Sequence, residues 1–142
     1  MLPLLKFALE GDIELMKREL ENGENVNRQD ENGRTALMYA SSTGFTGNVE
    51  IILQYNANVN LQENKNGWTA LHIAAIFGYT GIFELLLKHN AVVNLEDKKG
   101  WTAFTFASRF GHIEILQMIL QNNNHFNVDI VFPMFQYVKR RA

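Results

Sequence analysis

The side chains best equipped for catalysis in this chain are its histidines and serines, and their spacing argues against it. His72, His89, His112 and His125 stand 17, 23 and 13 residues apart, which matches no zinc-ligand pattern. Cysteine is absent, which removes thiolate ligands, a thiol nucleophile and a disulfide framework. Ser41, Ser42 and Ser108 carry no nucleophile-elbow sequence around them, and Ser41 and Ser108 fall where a small residue would serve helix packing. Gly44, Gly47, Gly78 and Gly81 belong to no Gly-x-x-x-x-Gly-Lys-Ser/Thr run, so no phosphate cradle is expected. The residues therefore predict no catalytic site, no cofactor and no metal.

Charge narrows the remaining classes. Thirteen Lys and Arg against fifteen Asp and Glu give a net charge of -2, too small and of the wrong sign to draw the chain to nucleic acid or an anionic membrane. The exception is a short basic cluster, Lys139, Arg140 and Arg141. An apolar share of 46% with 20% charged residues, over 142 residues, suits one soluble domain. No window reaches the ~20 apolar residues needed to span a bilayer. Met1 to Leu5 lacks the basic flank of a signal peptide, so a cytoplasmic or nuclear location is expected.

The elements that would position these residues come from an internal repeat. Gly33-Arg34-Thr35-Ala36-Leu37, Gly67-Trp68-Thr69-Ala70-Leu71 and Gly100-Trp101-Thr102-Ala103-Phe104 are three copies of one phrase, offset by 34 and 33 residues. Gly44, Gly78 and Gly111 each follow eleven residues later, and Gly11 is an earlier copy without its leading phrase. A third phrase recurs as Asn25-Val26-Asn27, Asn58-Val59-Asn60 and Val92-Val93-Asn94.

Each unit reads as two short helices and a projecting turn. Leu71, Ile73, Ala74 and Ile76 form the apolar stripe of a first helix capped by Thr69. After Gly78 a second stripe runs through Ile82, Phe83, Leu85, Leu86 and Leu87. Its end is marked by Asn90, with Gly23, Asn56 and Asn123 in the equivalent places, because these residues tolerate a left-handed backbone. Gly47 and Gly81 sit in the first turn of the second helices and are expected to loosen them by something near 1 kcal/mol each. The polar, glycine-punctuated stretch from Val93 to Gly100 suggests an extended turn or hairpin. A pair of helices this small cannot bury enough surface alone and must stack on its copies.

On these phrases the chain, from about Leu4 to Phe126, resembles the ankyrin-repeat family, whose repeat runs approximately Asp-x-x-Gly-x-Thr-Pro-Leu-His-x-Ala-Ala, then Gly-His-x-Glu and Gly-Ala-Asp-Val-Asn. Asp30 and Asp97 match the opening position, Leu71-His72-Ile73-Ala74-Ala75 the first helix, and Gly111-His112-Ile113-Glu114 the linking turn. Ala36, Ala70 and Ala103 replace the proline, and Glu63 or Asn64 marks a one-residue insertion in the second finger. The resemblance implies an all-α solenoid of helical hairpins with short β-hairpin fingers. It divides into an amino-terminal cap at about 1–29, repeats at about 30–63, 64–96 and 97–126, and a degenerate carboxyl-terminal cap at 127–142.

The resemblance also implies a non-catalytic scaffold that binds a protein partner through finger tips and the exposed side of the first helices. Carried onto this chain, those places are Glu31, Asn32 and Arg34, then Lys65, Asn66 and Trp68, then Lys98, Lys99 and Trp101. On the helices they are Ser42 and Thr43, Ile76 and Phe77, Arg109 and Phe110. Trp68 and Trp101 follow the finger glycine, where a side chain is expected either to project, as tryptophan and arginine do at interface hot spots, or to lie over the neighbouring finger and stiffen the array. An aromatic strip edged by Arg34, Lys65, Lys98, Lys99 and Arg109 suggests a partner with acidic and apolar character.

Other readings follow from the same resemblance. Asn60 and Asn94 could be substrates of an asparaginyl hydroxylase, or the chain could be a targeting or adaptor fragment of a larger protein. Phe132, Met134, Phe135 and Tyr137 could support self-association through 127–142. Nucleic-acid binding would rest only on the basic tail and rim.

Overall fold

A computed structural model of the chain describes residues 1–122. The expectations for Asn123, for a cap at 127–142 and for its self-association lie outside the described residues. Among those residues the chain forms helices α1 (Pro3–Glu10), α2 (Ile13–Glu21), α3 (Ala36–Thr43), α4 (Thr46–Gln54), α5 (Ala70–Phe77), α6 (Thr80–Lys88), α7 (Ala103–Phe110) and α8 (Ile113–Asn122). They are four antiparallel pairs in chain order.

Local chemistry sets the limits of each pair. The hydroxyls of Thr35, Thr69 and Thr102 accept the backbone N–H three residues on, from Met38, His72 and Thr105, and so satisfy a donor that the first turn leaves open. Each first helix ends on a left-handed glycine, Gly11, Gly44, Gly78 or Gly111. Past the ends of α4 and α6 the left-handed residues are Asn56 and Asn90. Pro3 stands at the start of α1, where its missing N–H costs nothing.

The pairs stack in register. α1 packs on α3, α3 on α5 and α5 on α7, while α2, α4, α6 and α8 form a parallel outer row. Small buried side chains explain the close approach of the inner row: Ala36, Ala40, Ala70, Ala74, Ala75, Ala103 and Ala107 are all nearly or fully enclosed. Longer ones, Met16, Ile52, Phe83, Leu86, Ile115 and Ile119, fill the space toward the outer row. The inner helices contact one another more closely than the outer ones do. Leu37 and Leu71 occupy corresponding buried layers, and Phe104 stands half-buried in the next.

The fingers are not β-hairpins. No strand occurs among the described residues, and the reason lies in one carboxylate per finger. Asp30 N donates to Arg34 O at 2.9 Å, as the narrow pair of a hairpin would, but the return donor is diverted. Arg34 N bonds Asp30 Oδ1 at 2.9 Å instead of the main chain, and Asp30 O takes Gly33 N at 2.9 Å. A side-chain-braced turn replaces the ladder. Asp97 does the same for Trp101 N, at 2.8 Å.

Glu63 is the equivalent residue of the second finger. It accepts from Trp68 N and Asn66 N through Oε1, at 3.1 and 2.6 Å, and from Lys65 N through Oε2, at 3.0 Å. One extra methylene in the side chain matches the one extra residue in this turn, so the insertion is absorbed without changing the frame.

Candidate functional site

The sequence-selected residues lie on the fingers and at the carboxyl-terminal ends of the inner helices α5 and α7. Phe77 and Phe110, the last residues of α5 and α7, are 52% and 51% exposed. Phe77 stacks on Tyr79 at 5.6 Å between ring centroids, and Phe110 lies 6.4 Å from the His112 ring. Arg109 is exposed beside Phe110, Ile76 is half-buried beside Phe77, and Lys65, Lys98 and Lys99 are exposed on the fingers, with Asn66 partly covered. Arg34 is partly buried, its guanidinium 6.0 Å from the Tyr39 ring.

Trp68 and Trp101 are placed differently from the projecting position read from the sequence. Both are half-buried and packed against the core. Their rings flank Phe106, at 5.9 Å edge-on for Trp68 and 5.1 Å tilted for Trp101. The Trp68 indole N–H donates to Asp97 Oδ2 at 3.1 Å. The finger carboxylate draws this indole inward, because a nearly buried Asp97 needs donors on both oxygens. Each indole is therefore partly covered by the core and partly open to solvent.

Sequence reasoning missed a row of rings behind this strip. Phe45 and Tyr79 follow the glycines that end α3 and α5, as His112 follows Gly111, and each ring covers the glycine of the preceding unit. A methyl group at Gly11 would meet the Phe45 ring at 2.7 Å, and one at Gly44 the Tyr79 ring at 3.0 Å. The signal was present as an aromatic or imidazole ring directly after Gly44, Gly78 and Gly111.

The titratable groups serve the frame. His72 is buried, with Nδ1 accepting from Thr69 N at 3.0 Å and Nε2 2.8 Å from Leu95 O. An acceptor at Nδ1 places the proton on Nε2. Burial holds this imidazole below its ordinary range, against the opposing pull of the Leu95 carbonyl and Asp97. For Asp30, burial acts to raise the carboxyl. The Tyr39 hydroxyl, the Arg34 and Asn32 amides and the Arg34 charge outweigh it and leave the group below its ordinary value. The hydroxyl oxygens of Ser41 and Ser108 are enclosed and have no hydrogen-bond partner among the described residues, so no base is placed to activate them. Among these residues no three His, Cys, Asp or Glu side chains cluster to hold a metal ion, and no helix is long and apolar enough to cross a membrane.

The asparagines of the third phrase tie neighbouring units together. Asn27 Oδ1 accepts from Asn58 N at 2.7 Å and Asn60 Oδ1 from Val92 N at 2.8 Å, while Asn94 is exposed.

Family models for ankyrin repeats match residues 20–74 and 53–130. The chain belongs to the ankyrin-repeat family. Ankyrin repeats are, in general, protein-binding modules, and this array shares their helix pairs and stacking. A segment of 49 residues is also 41% identical to an acyl-CoA-binding domain-containing protein 6 homolog of Dictyostelium discoideum. That match covers 34% of this chain and 17% of the relative, so the likeness is confined to a small part of the longer protein.

Proposed function

We propose that this ankyrin array is a non-catalytic docking module that grips a partner protein on the strip running from the fingers across the ends of α5 and α7. The observation that carries the reading is the exposure of Phe77 and Phe110 in equivalent places of successive repeats, where nearly every other large apolar side chain of the inner helices is covered. Desolvating two aromatic rings is a large gain for a small surface, and interfaces concentrate their energy in such residues. Trp68 and Trp101 extend the strip along their solvent-facing edges. Asn66 on the second finger and Ile76 beside Phe77 belong to it, and Arg34, Lys65, Lys98, Lys99 and Arg109 give it a cationic margin suited to an acidic and apolar partner.

Affinity capture from the native cell tests this, comparing wild type with a Phe77→Ala, Phe110→Ala double variant. Both rings are half in water, so the variant should keep its thermal midpoint while a discrete partner binds it weaker by about 2 kcal/mol or more. A variant that folds and retains that partner at full affinity would contradict the assignment.

A further inference from the structure

Successive fingers are joined through the same outgoing groups. The carbonyl just before the finger glycine accepts an N–H from the next finger: Asn32 O from Asn64 N at 2.7 Å, and Asn66 O from Lys98 N at 2.9 Å. At the second joint an indole adds a bond, from Trp68 Nε1 to Asp97 Oδ2 at 3.1 Å. An Asp-Lys pair, Asp97-Lys98, therefore clips onto the second finger with a carboxylate and the N–H that follows it.

The third finger repeats both outgoing groups. Lys99 precedes Gly100 as Asn66 precedes Gly67, and Trp101 follows Gly100 as Trp68 follows Gly67. Neither the Lys99 carbonyl nor the Trp101 indole N–H has a hydrogen-bond partner among the described residues. The Trp101 ring packs against Phe106, 5.1 Å between centroids. Lys99 is exposed there, and among the described residues it forms no ion pair.

We propose that the third finger is a docking point for an acidic turn of a partner protein, whose Asp or Glu accepts the Trp101 indole N–H while the next backbone N–H bonds the Lys99 carbonyl. The joint between the second and third fingers is the geometric precedent, and the Lys99 ammonium supplies the charge complement. This rests on the protein-binding reading above and adds the chemistry of the ligand. A carboxylate is specified because an anion accepts the equivalent N–H where the same device is filled, between the second and third fingers.

The test uses the full chain labelled with nitrogen-15, whose two tryptophans give two indole signals, assigned with Trp101→Phe. The probe is a capped peptide of residues 29–35, Gln-Asp-Glu-Asn-Gly-Arg-Thr. Its turn is braced within itself, since Asn32 N and Arg34 N both bond Asp30 Oδ1 at 2.9 Å. The Trp101 signal should move saturably with added peptide while the Trp68 signal stays, and a peptide with Asn in place of its Asp should bind on the order of tenfold more weakly. No movement at millimolar peptide, or equal movement with both peptides, would overturn the proposal. So would a Trp101 signal that already matches that of Trp68 and shifts only in Asp129→Asn, because the chain's own carboxylate would then fill the joint. Trp101→Phe keeps the ring against Phe106 and removes the donor. A partner lost in Phe77→Ala, Phe110→Ala but bound unchanged by Trp101→Phe would sink this inference and leave the docking function standing.

Discussion

The imidazole of His112 lies directly over Gly78, with Nε2 3.1 Å from the Ile76 carbonyl and Cε1 2.5 Å from where a methyl group on Gly78 would stand. The same residue pair thus closes one repeat and seats the next. Gly78 also has φ +76°, a backbone that disfavours any Cβ. Gly78→Ala should therefore lose about 1–3 kcal/mol, from left-handed strain together with displacement of the ring. Urea midpoints would measure this, and an alanine variant as stable as wild type would show that the ring can move at no cost.

Two helical glycines make the opposite case. Gly81 in α6 has open space around it, whereas a methyl group at its counterpart Gly47 in α4 would lie 3.3 Å from the Ile13 side chain. Removing backbone freedom from the unfolded chain should make Gly81→Ala more stable by about 0.5–1 kcal/mol, with a smaller gain or none for Gly47→Ala. Thermal melts of the two variants decide it, and the expectation fails if Gly47→Ala is stabilised more than Gly81→Ala.

His72 makes stability depend on pH. Its folded imidazole titrates below the ordinary value, because burial penalises the charged form. The unfolded chain, titrating near 6.5, thus takes up a proton first as the solution is acidified. Its contribution is complete above about pH 6.5 and declines as the pH falls toward the folded value, at up to about 1.4 kcal/mol per pH unit. Urea unfolding from pH 8 to pH 5.5 should show this loss in wild type and a flatter profile in His72→Gln. Identical profiles would mean that the imidazole carries no linkage.

The repeat was legible because its period is written in residues with strong backbone consequences: threonines that cap, glycines that turn and alanines that let helices touch. With the apolar stripes between them, those residues predict stacked helix pairs. What stayed hidden depends on which partners the side chains take. The fingers read as hairpins because residue types alone do not show that Asp30, Glu63 and Asp97 capture the N–H a ladder would use, four or five residues on. The indole of Trp68 read as projecting because its destination, Asp97, lies 29 residues further on. Phe77 and Phe110, placed on the exposed side of the inner helices by the family resemblance, are exposed there, since each is the last residue before the glycine that ends its helix.

Docking on this strip is tested most directly by amide hydrogen exchange of the chain alone and bound to the partner captured from its native cell. Binding on the proposed strip predicts slowed exchange in the fingers around residues 30–34, 63–68 and 97–101 and at the ends of α5 and α7, with α4, α6 and α8 unchanged. Protection confined to the outer helices, with the fingers exchanging as in the free chain, would contradict it.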